Sequence, residues 1–410
     1  MNRLKKLTPT ALFFIASIAG IVGFFVFAFF NNNVSTFDWL IMQHNGDYTL
    51  ADYFYHIFYG RDLKTVYNAY DVDPCFPPLS YLLYHYMFVI NPVDNMERLK
   101  DVINYQYYLF IYLVFSSVLV ALFSFSVQIF NENSSKPWKS TRSMLLTVVA
   151  IFSAPFGASA LERGNAVFIV LILLMFAMAF KDSENKVLRE LALILIAVAA
   201  NFKLYPAIFG LLYLKEKRYK EAIRLMIYGV ALFIVPFVFF DGLRSVKDYL
   251  IILKLMQGRS NEQATTIRGL VTSAFEMAKG MDYKWIGHTV GKVVENIYLV
   301  ITLIAFWVSK NKWKEMFLLV SPMVVYVSSA YRYTAIYFFI ALMIFLLMQN
   351  ENNDGKFEVI DYVYAFLFAM IFTVPVWAFA FELENAMYLF VYIMIIVITV
   401  DTFICLRKDK

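Results

Sequence analysis

The sequence predicts an all-α polytopic membrane protein, and three observations support this fold class. The 410-residue chain is 61% hydrophobic and only 16% charged, with a mean hydropathy of +0.62, whereas soluble domains carry about 25% charged residues. Apolar stretches of about the length that crosses a bilayer recur along the whole chain. These stretches are apolar on all sides, so a soluble core could not bury them. We therefore interpret residues 1–410 as one integral membrane domain.

The apolar segments predict about 12 transmembrane helices, within a range of 11–13. The first segment, Ala11–Phe30, follows a basic N-terminus and is too long for a signal-peptide core, so we expect an uncleaved helix. Proline breaks a helix or starts the next one, so Pro206 should separate the two shortest segments. The remaining segments lie at about residues 103–130, 143–160, 165–180, 189–201, 205–214, 225–240, 293–309, 315–330, 333–349, 359–380 and 386–406.

Basic residues predict the orientation of the chain. Lysine and arginine cluster at both termini and in alternate short loops, such as Lys215–Arg224 and Lys310–Lys314. The positive-inside rule places these loops and both termini in the cytoplasm of a cell that carries the protein in its plasma membrane. The first long loop, residues 31–102, and the second, residues 241–291, then lie on the external face.

Within the first loop we expect two short juxtamembrane helices. Asp52–Tyr59 has the pattern of an interfacial amphipathic helix. Leu79–Ile90 is apolar but too short to span a bilayer, so it could be re-entrant or lie on the membrane surface. A cluster of aspartates precedes the second of these segments. The loop therefore combines carboxylates with elements that would hold them at the membrane surface.

Several function classes find no support in the sequence. Cys75 and Cys405 lie at opposite ends of the chain, without metal-ligand spacing or a disulfide framework. There is no Walker loop, dinucleotide fingerprint or His-Glu zinc motif. The net charge of +5 is distributed over loops and does not form a nucleic-acid-binding patch. The sequence therefore contains no motif that indicates a cofactor or a nucleic-acid partner, and we expect neither.

Ionisable residues near the predicted external surface are the candidates for chemistry. Charge at such a depth is costly and tends to be paired or to mark a ligand path. Cations beside carboxylates suit a phosphate-bearing substrate, in which Arg and Lys hold the phosphate and a carboxylate acts as general base. These residues stand where apolar segments begin or end: Asp47, Asp52, Glu162, Arg163, Lys203, Arg268 and Arg332.

Each of these residues also has a purely structural interpretation. Asp47 and Asp52 could be solvated loop or helix-capping residues, and Lys203 could extend its charge to the interface. Arg163 could pair with Glu162, and Arg332 could stack between its tyrosine neighbours. The functional interpretation depends on the predicted topology, which places all of these residues on the same side of the membrane.

The order of several short motifs resembles a known enzyme family. The motifs are Asp47-Tyr48, Gly60 to Tyr67, Phe76-Pro77-Pro78-Leu79, Arg163-Gly164-Asn165, Lys203-Leu204-Tyr205-Pro206, Asn261–Leu270 and Ser321-Pro322. Together they resemble the polyprenyl-phosphate-dependent glycosyltransferases of family 87, which have the GT-C membrane fold. The chain departs from the family at Val324-Val325-Tyr326, where an aromatic-His-Tyr element is often found.

The resemblance implies an inverting glycosyl transfer on the external face. The donor would be a sugar on a polyprenyl phosphate in the membrane lipid, and the acceptor a glycan or glycolipid. Mannose is the sugar that family analogy suggests. Asp47 or Asp52 would deprotonate the acceptor hydroxyl. The cations that would stabilise the leaving phosphate are Arg163, Lys203, Arg268 and Arg332. The donor and acceptor pocket would include Tyr48, Phe76, Pro77, Asn165 and Tyr205. With cations in this role, the resemblance implies no metal.

Two other membrane functions remain alternatives. A transporter or lipid-linked glycan flippase also suits about 12 spans, and it predicts charges near the midplane and broken helices in both halves. A glycan polymerase or ligase typically has one large loop in its second half, where this chain has residues 241–291. The early aspartate-rich loop favours the glycosyltransferase over both.

Overall fold

The computed structural model describes residues 7–31, 50–67, 74–90, 92, 99–103, 105–258, 265–279, 283–327, 331–351, 357–373 and 386–408. All regular structure in these ranges is helical, and they contain no strand. The α-helices are α1 (Pro9–Asn31), α2 (Ala51–Gly60), α3 (Pro78–Val89), α4 (Leu99–Ile103), α5 (Gln106–Glu132), α6 (Ser140–Ile151), α7 (Val167–Phe180), α8 (Lys186–Phe202), α9 (Gly210–Lys215), α10 (Tyr219–Ile234), α11 (Leu243–Gly258), α12 (Ile267–Lys279), α13 (Lys284–Val308), α14 (Lys312–Val325), α15 (Phe338–Glu351), α16 (Val359–Ile371) and α17 (Ala386–Lys408).

The helices confirm a multi-pass membrane protein. Within the described ranges, six helical stretches are long and apolar enough to cross a membrane: Pro9–Phe30, Gln106–Glu132, Tyr219–Phe239, Lys284–Val308, Arg332–Glu351 and Tyr388–Arg407. Three shorter apolar helices, α6, α7 and α16, accompany them. Large apolar side chains on the outside of the bundle, such as Phe29 and Phe30 at 78% exposure, fit contact with lipid. The number of 12 spans stays a prediction.

Several membrane helices are interrupted by tighter or wider turns. A π-helix occupies Phe156–Leu161, and 3₁₀-helices occupy Tyr205–Phe209, Val235–Phe239 and Arg332–Tyr337. Pro206 lies in the first of these 3₁₀-helices, between α8 and α9, so the predicted break is confirmed. Irregular backbone at membrane depth is tolerated where it is buried in protein or lines a cavity. These breaks are therefore the places to look for a site.

The first loop contains the two short helices that its sequence predicts. Helices α2 and α3 cover nearly the same residues as Asp52–Tyr59 and Leu79–Ile90. They pack against each other, and α3 also packs against α8. Buried aromatic side chains of these two helices pack in one cluster with aromatic side chains of the loop between them and of helices α5 and α11. The cluster includes Tyr53, Phe54, Tyr67, Phe76, Tyr81, Tyr84, Tyr108, Tyr112 and Tyr249. The cluster holds the loop helices firmly against the membrane helices, because each aromatic side chain buries a large apolar area.

The second predicted loop is also largely helical. Residues 241–291 include α11, α12 and the first part of α13, which begins at Lys284. Helix α12 lies directly on α13. A Cβ atom at Gly287 would lie 2.8 Å from the Cβ of Phe275, and one at Gly291 would lie 2.9 Å from the carbonyl oxygen of Arg268. Glycine at these two positions permits the close packing of the two helices.

Candidate functional site

Asp52, in the first turn of α2, is bonded to two side chains that follow the π-helix Phe156–Leu161. Arg163 donates to Asp52 Oδ1 from Nη2 at 2.6 Å and from Nε at 3.1 Å. Asn165 Nδ2 donates to Asp52 Oδ2 at 2.5 Å. The side chains of Arg163 and Asp52 are only 12% and 16% exposed. Charge-assisted bonds to both carboxylate oxygens join the first loop firmly to the membrane helices.

Local backbone geometry explains why Arg163-Gly164-Asn165 can make this connection. Gly164 has φ of +64°, and a Cβ atom there would lie 2.6 Å from the Cβ of Tyr53. Both observations require glycine. Asn165 Oδ1 accepts a hydrogen bond from the Val167 backbone N–H at 3.1 Å, in the turn that leads into α7. This bond orients the amide so that its Nδ2 is available to Asp52.

The Asp52 carboxyl is held in its ionised form. Burial alone would raise its pKa, but the charge of Arg163 and the hydrogen bonds from Arg163 and Asn165 outweigh burial. The pKa of Asp52 therefore lies below its ordinary value. A carboxylate with a low pKa and with both oxygens bonded is a weak proton acceptor. This geometry suits a residue that positions Arg163 better than it suits a general base.

Lys203 lies close by, in the break between α8 and the 3₁₀-helix Tyr205–Phe209. Its Nζ lies 3.4 Å from the centroid of the Phe76 ring. Its ammonium has no hydrogen bond or ion pair to any residue within the described ranges. Burial lowers the pKa of Lys203 to about 8, although Cys75 and Asp52 oppose the shift. Lys203 is thus a buried cation that is influenced by the Asp52 carboxylate but does not form an ion pair with it.

His56 is a further member of the site that sequence analysis does not identify. Its ring packs on Phe76 with 3.7 Å between centroids, and its Nδ1 lies 3.2 Å from the Tyr81 hydroxyl. Burial lowers the pKa of His56 to about 3; Asp52 raises it, and Lys203 and Arg163 lower it further. The imidazole is therefore neutral near pH 7. The available sequence signal is its position four residues after Asp52, on the same face of α2.

Tyr205 and Arg332 extend the site toward the last third of the chain. The Tyr205 hydroxyl lies 3.0 Å from the Tyr337 hydroxyl, which links the 3₁₀-helices Tyr205–Phe209 and Arg332–Tyr337. The latter also packs against the π-helix that precedes Arg163. Arg332 itself is only 9% exposed. Three of the four predicted cations thus stand at helix breaks that are in contact or joined by hydrogen bonds.

Arg268, the fourth predicted cation, has a carboxylate partner. On α12, its Nε donates to Glu295 Oε2 at 2.9 Å, and its Nη2 also contacts that oxygen. Glu295 lies on α13 and is 1% exposed. Because this buried carboxylate already compensates the guanidinium, Arg268 is less suited to a substrate phosphate than Lys203 is.

The other predicted residues have the following places. Asp47 and Tyr48 lie outside the described residues. The carbonyl oxygen of Phe76 accepts a hydrogen bond from the Tyr67 hydroxyl at 2.6 Å, and Pro77 immediately precedes α3. Within the described ranges, no group of three or more His, Cys, Asp or Glu side chains is placed to hold a metal ion.

Comparison with known proteins identifies the family. No curated protein and no solved structure shows significant similarity to this chain. A family model, however, matches residues 102–329, which is more than half of the chain. The matched region contains Arg163, Asn165, Lys203 and Arg268, and it begins at residue 102, where the predicted first loop ends. The family that the sequence resembles is confirmed, and the chain is a member of glycosyltransferase family 87.

Proposed function

We propose that the protein transfers a sugar from a polyprenyl-phosphate donor to a glycan or glycolipid acceptor at the external membrane surface. Membership of family 87 supports glycosyl transfer. The lipid-phosphate donor, the inverting stereochemistry and the external location are our proposal. Mannose is the first sugar to test.

The buried ammonium of Lys203 is the observation on which the donor proposal rests. Burying a cation without a hydrogen-bonded counterion is unfavourable. A phosphate group would supply both charge and acceptor oxygens, and lysine is a common phosphate ligand. The linked turn that begins at Arg332 carries a second cation. Two cations at adjoining helix breaks suit the charge that develops on a leaving phosphate.

The proposed reaction divides its roles among the site residues. The acceptor oxygen attacks the anomeric carbon from the face opposite the phosphate, and the bond between that carbon and the phosphate oxygen breaks. Lys203 and Arg332 stabilise the departing polyprenyl phosphate. The acceptor proton passes to a carboxylate. Asp52 is engaged by Arg163 and Asn165, so we assign the base to Asp47 and give Asp52 the role of positioning Arg163.

The test is sugar transfer by purified protein in nanodiscs, with a panel of polyprenyl-phosphate sugars as donors. We expect Asp47→Asn to abolish turnover without affecting folding. Asp52→Asn should retain measurable turnover but lower the thermal stability. If Asp52→Asn is folded and inactive while Asp47→Asn is active, Asp52 is the base. Transfer that survives undiminished in both variants would refute the general-base assignment.

One structural observation also fits a transporter. Helix breaks occur in both halves of the chain, at Phe156–Leu161, Tyr205–Phe209 and Arg332–Tyr337, as expected for transporters. Family membership favours glycosyl transfer. If no polyprenyl-phosphate sugar serves as a donor, flux of the same lipids across proteoliposomes tests the transporter directly.

A further inference from the structure

An apolar groove of about 630 Å³ lies between helices α8, α9 and α10. It extends from Leu204, the neighbour of Lys203, to Leu214 and Tyr219, which flank the basic turn Lys215–Arg218. Small residues leave space along its walls: Ala197, Ala200, Ala207, Gly210, Ala222 and Gly229. The groove therefore provides a long apolar surface that begins at the residue next to the candidate phosphate-binding lysine, although Lys203 itself does not line it.

The charges at the two ends of the groove differ. At the Leu214 end, Lys215 pairs with Glu315 at 2.6 Å, and Arg218 pairs with Asp182 at 2.9 Å. At the Leu204 end, the Lys203 ammonium has no carboxylate partner among the described residues. An anionic head group would therefore bind at the Leu204 end, where a positive charge is uncompensated.

A second observation points to a ligand at the same end. Asn201 lines the groove and is 2% exposed. Its Nδ2 donates to the carbonyl oxygens of Ala197 at 2.8 Å and Gly229 at 3.1 Å. Its Oδ1 is buried and accepts no hydrogen bond from the described part of the chain. A buried acceptor of this kind is costly unless a donor is supplied, and a hydroxyl on a ligand head group would supply one.

We propose that this groove holds the polyprenyl chain of the lipid substrate, with its phosphate at Lys203 and a sugar hydroxyl at Asn201 Oδ1. The proposal rests on the proposed function for the identity of the lipid. It adds the place where the chain lies and its direction, with the phosphate at the Leu204 end and the chain extending toward Tyr219.

A glycine in the groove wall permits a selective test. Gly229 lines the groove, and a Cβ atom there would meet no atom within 4 Å, so the Cβ of Gly229→Leu has space and the larger side chain should reduce the volume of the groove. Leucine is also the better helix former, so the variant should fold. Ala231→Leu is the matched control, because Ala231 is exposed on the same helix and does not line the groove.

The experiment uses the full chain in phosphatidylcholine nanodiscs and a polyprenyl phosphate with a diazirine at the end of its chain. We expect photolabelling of wild type on α9 and α10, near Leu214 and Tyr219. Gly229→Leu should weaken binding about tenfold, the effect of excluding roughly two methylene groups from an apolar site. Ala231→Leu should bind like wild type. Lys203→Met should weaken the binding of polyprenyl phosphate but should not change the binding of the phosphate-free polyprenol.

Several results would overturn the proposal. One is labelling of wild type on other helices, and another is unchanged binding by folded Gly229→Leu. A third is competition by phosphatidylglycerol as strong as that by unlabelled polyprenyl phosphate, which would make the groove a site for bilayer lipid. Labelling as expected without transfer from any donor would support the groove and overturn the proposed function alone.

Discussion

Replacement of Lys203 by methionine should have opposite effects on stability and on phosphate binding. In the folded protein the pKa of Lys203 is lowered from 10.5 to about 8, chiefly by burial. At about 1.4 kcal/mol per pKa unit, the charged form costs roughly 3 kcal/mol relative to the unfolded chain. The cation–π contact with the Phe76 ring stabilises the charged lysine in the folded protein by about 1 kcal/mol. Methionine has a similar length and no charge, so Lys203→Met should stabilise the ligand-free protein by about 2 kcal/mol.

The pH dependence of this effect has a defined sign. The penalty is fully present below pH 8, where the lysine is charged in both states. It diminishes as the pH rises from about 8 toward 10.5, because the folded protein loses the proton first. Wild-type stability should therefore rise in this interval relative to Lys203→Met, and the difference between the two proteins should disappear at its upper end.

The assay is thermal unfolding in detergent across this pH range, together with binding of polyprenyl phosphate. We expect the variant to unfold at a higher temperature and to bind the phosphate about tenfold or more weakly, since hydrogen bonds to charged groups contribute about 1.5–3 kcal/mol. Lys215→Met is the matched control. It breaks the partly buried pair with Glu315 and should destabilise. A Lys203→Met protein that is less stable than wild type, or that binds the phosphate equally well, would refute the reasoning.

Two further variants test the bonded contact of Asp52 with Arg163 and Asn165. Asp52→Asn leaves Arg163 without its carboxylate and should lower stability by about 3 kcal/mol. The pKa of Asp52 is lower in the folded protein than in the unfolded chain. Its contribution to stability is therefore complete above the ordinary carboxyl pKa and is lost as the pH falls through the pKa of the folded protein. The stabilities of wild type and variant should approach each other as the pH is lowered through this range. Gly164→Ala should cost about 2 kcal/mol or more, from the left-handed backbone and the contact with Tyr53. If Ala is tolerated there without loss of melting temperature, the described packing of α2 is wrong.

The sequence predicts the local elements of the site better than its pairings. The helices of the first loop and the break at Pro206 are local patterns, and the structure contains both of them. The partner of Arg163 is not local. Asp52 lies 111 residues away, whereas Glu162 is the neighbour that the sequence suggests. The pairing of Arg268 with Glu295 depends on the packing of α12 on α13, so the sequence of neither helix alone predicts it.

The bonds of Asp52 to Arg163 and Asn165 connect the first loop with the region that the family model matches. The family model begins at residue 102, so α2 and α3 lie before the matched region. Yet Asp52 is bonded to Arg163 and Asn165 inside it, and Phe76 lies against Lys203. The first loop is therefore fixed at the cations that we assign to the donor phosphate. Residues of this loop that face the acceptor can therefore be substituted while the phosphate-binding residues keep their positions. We therefore expect acceptor specificity to depend on residues before 102 and donor binding on residues after it.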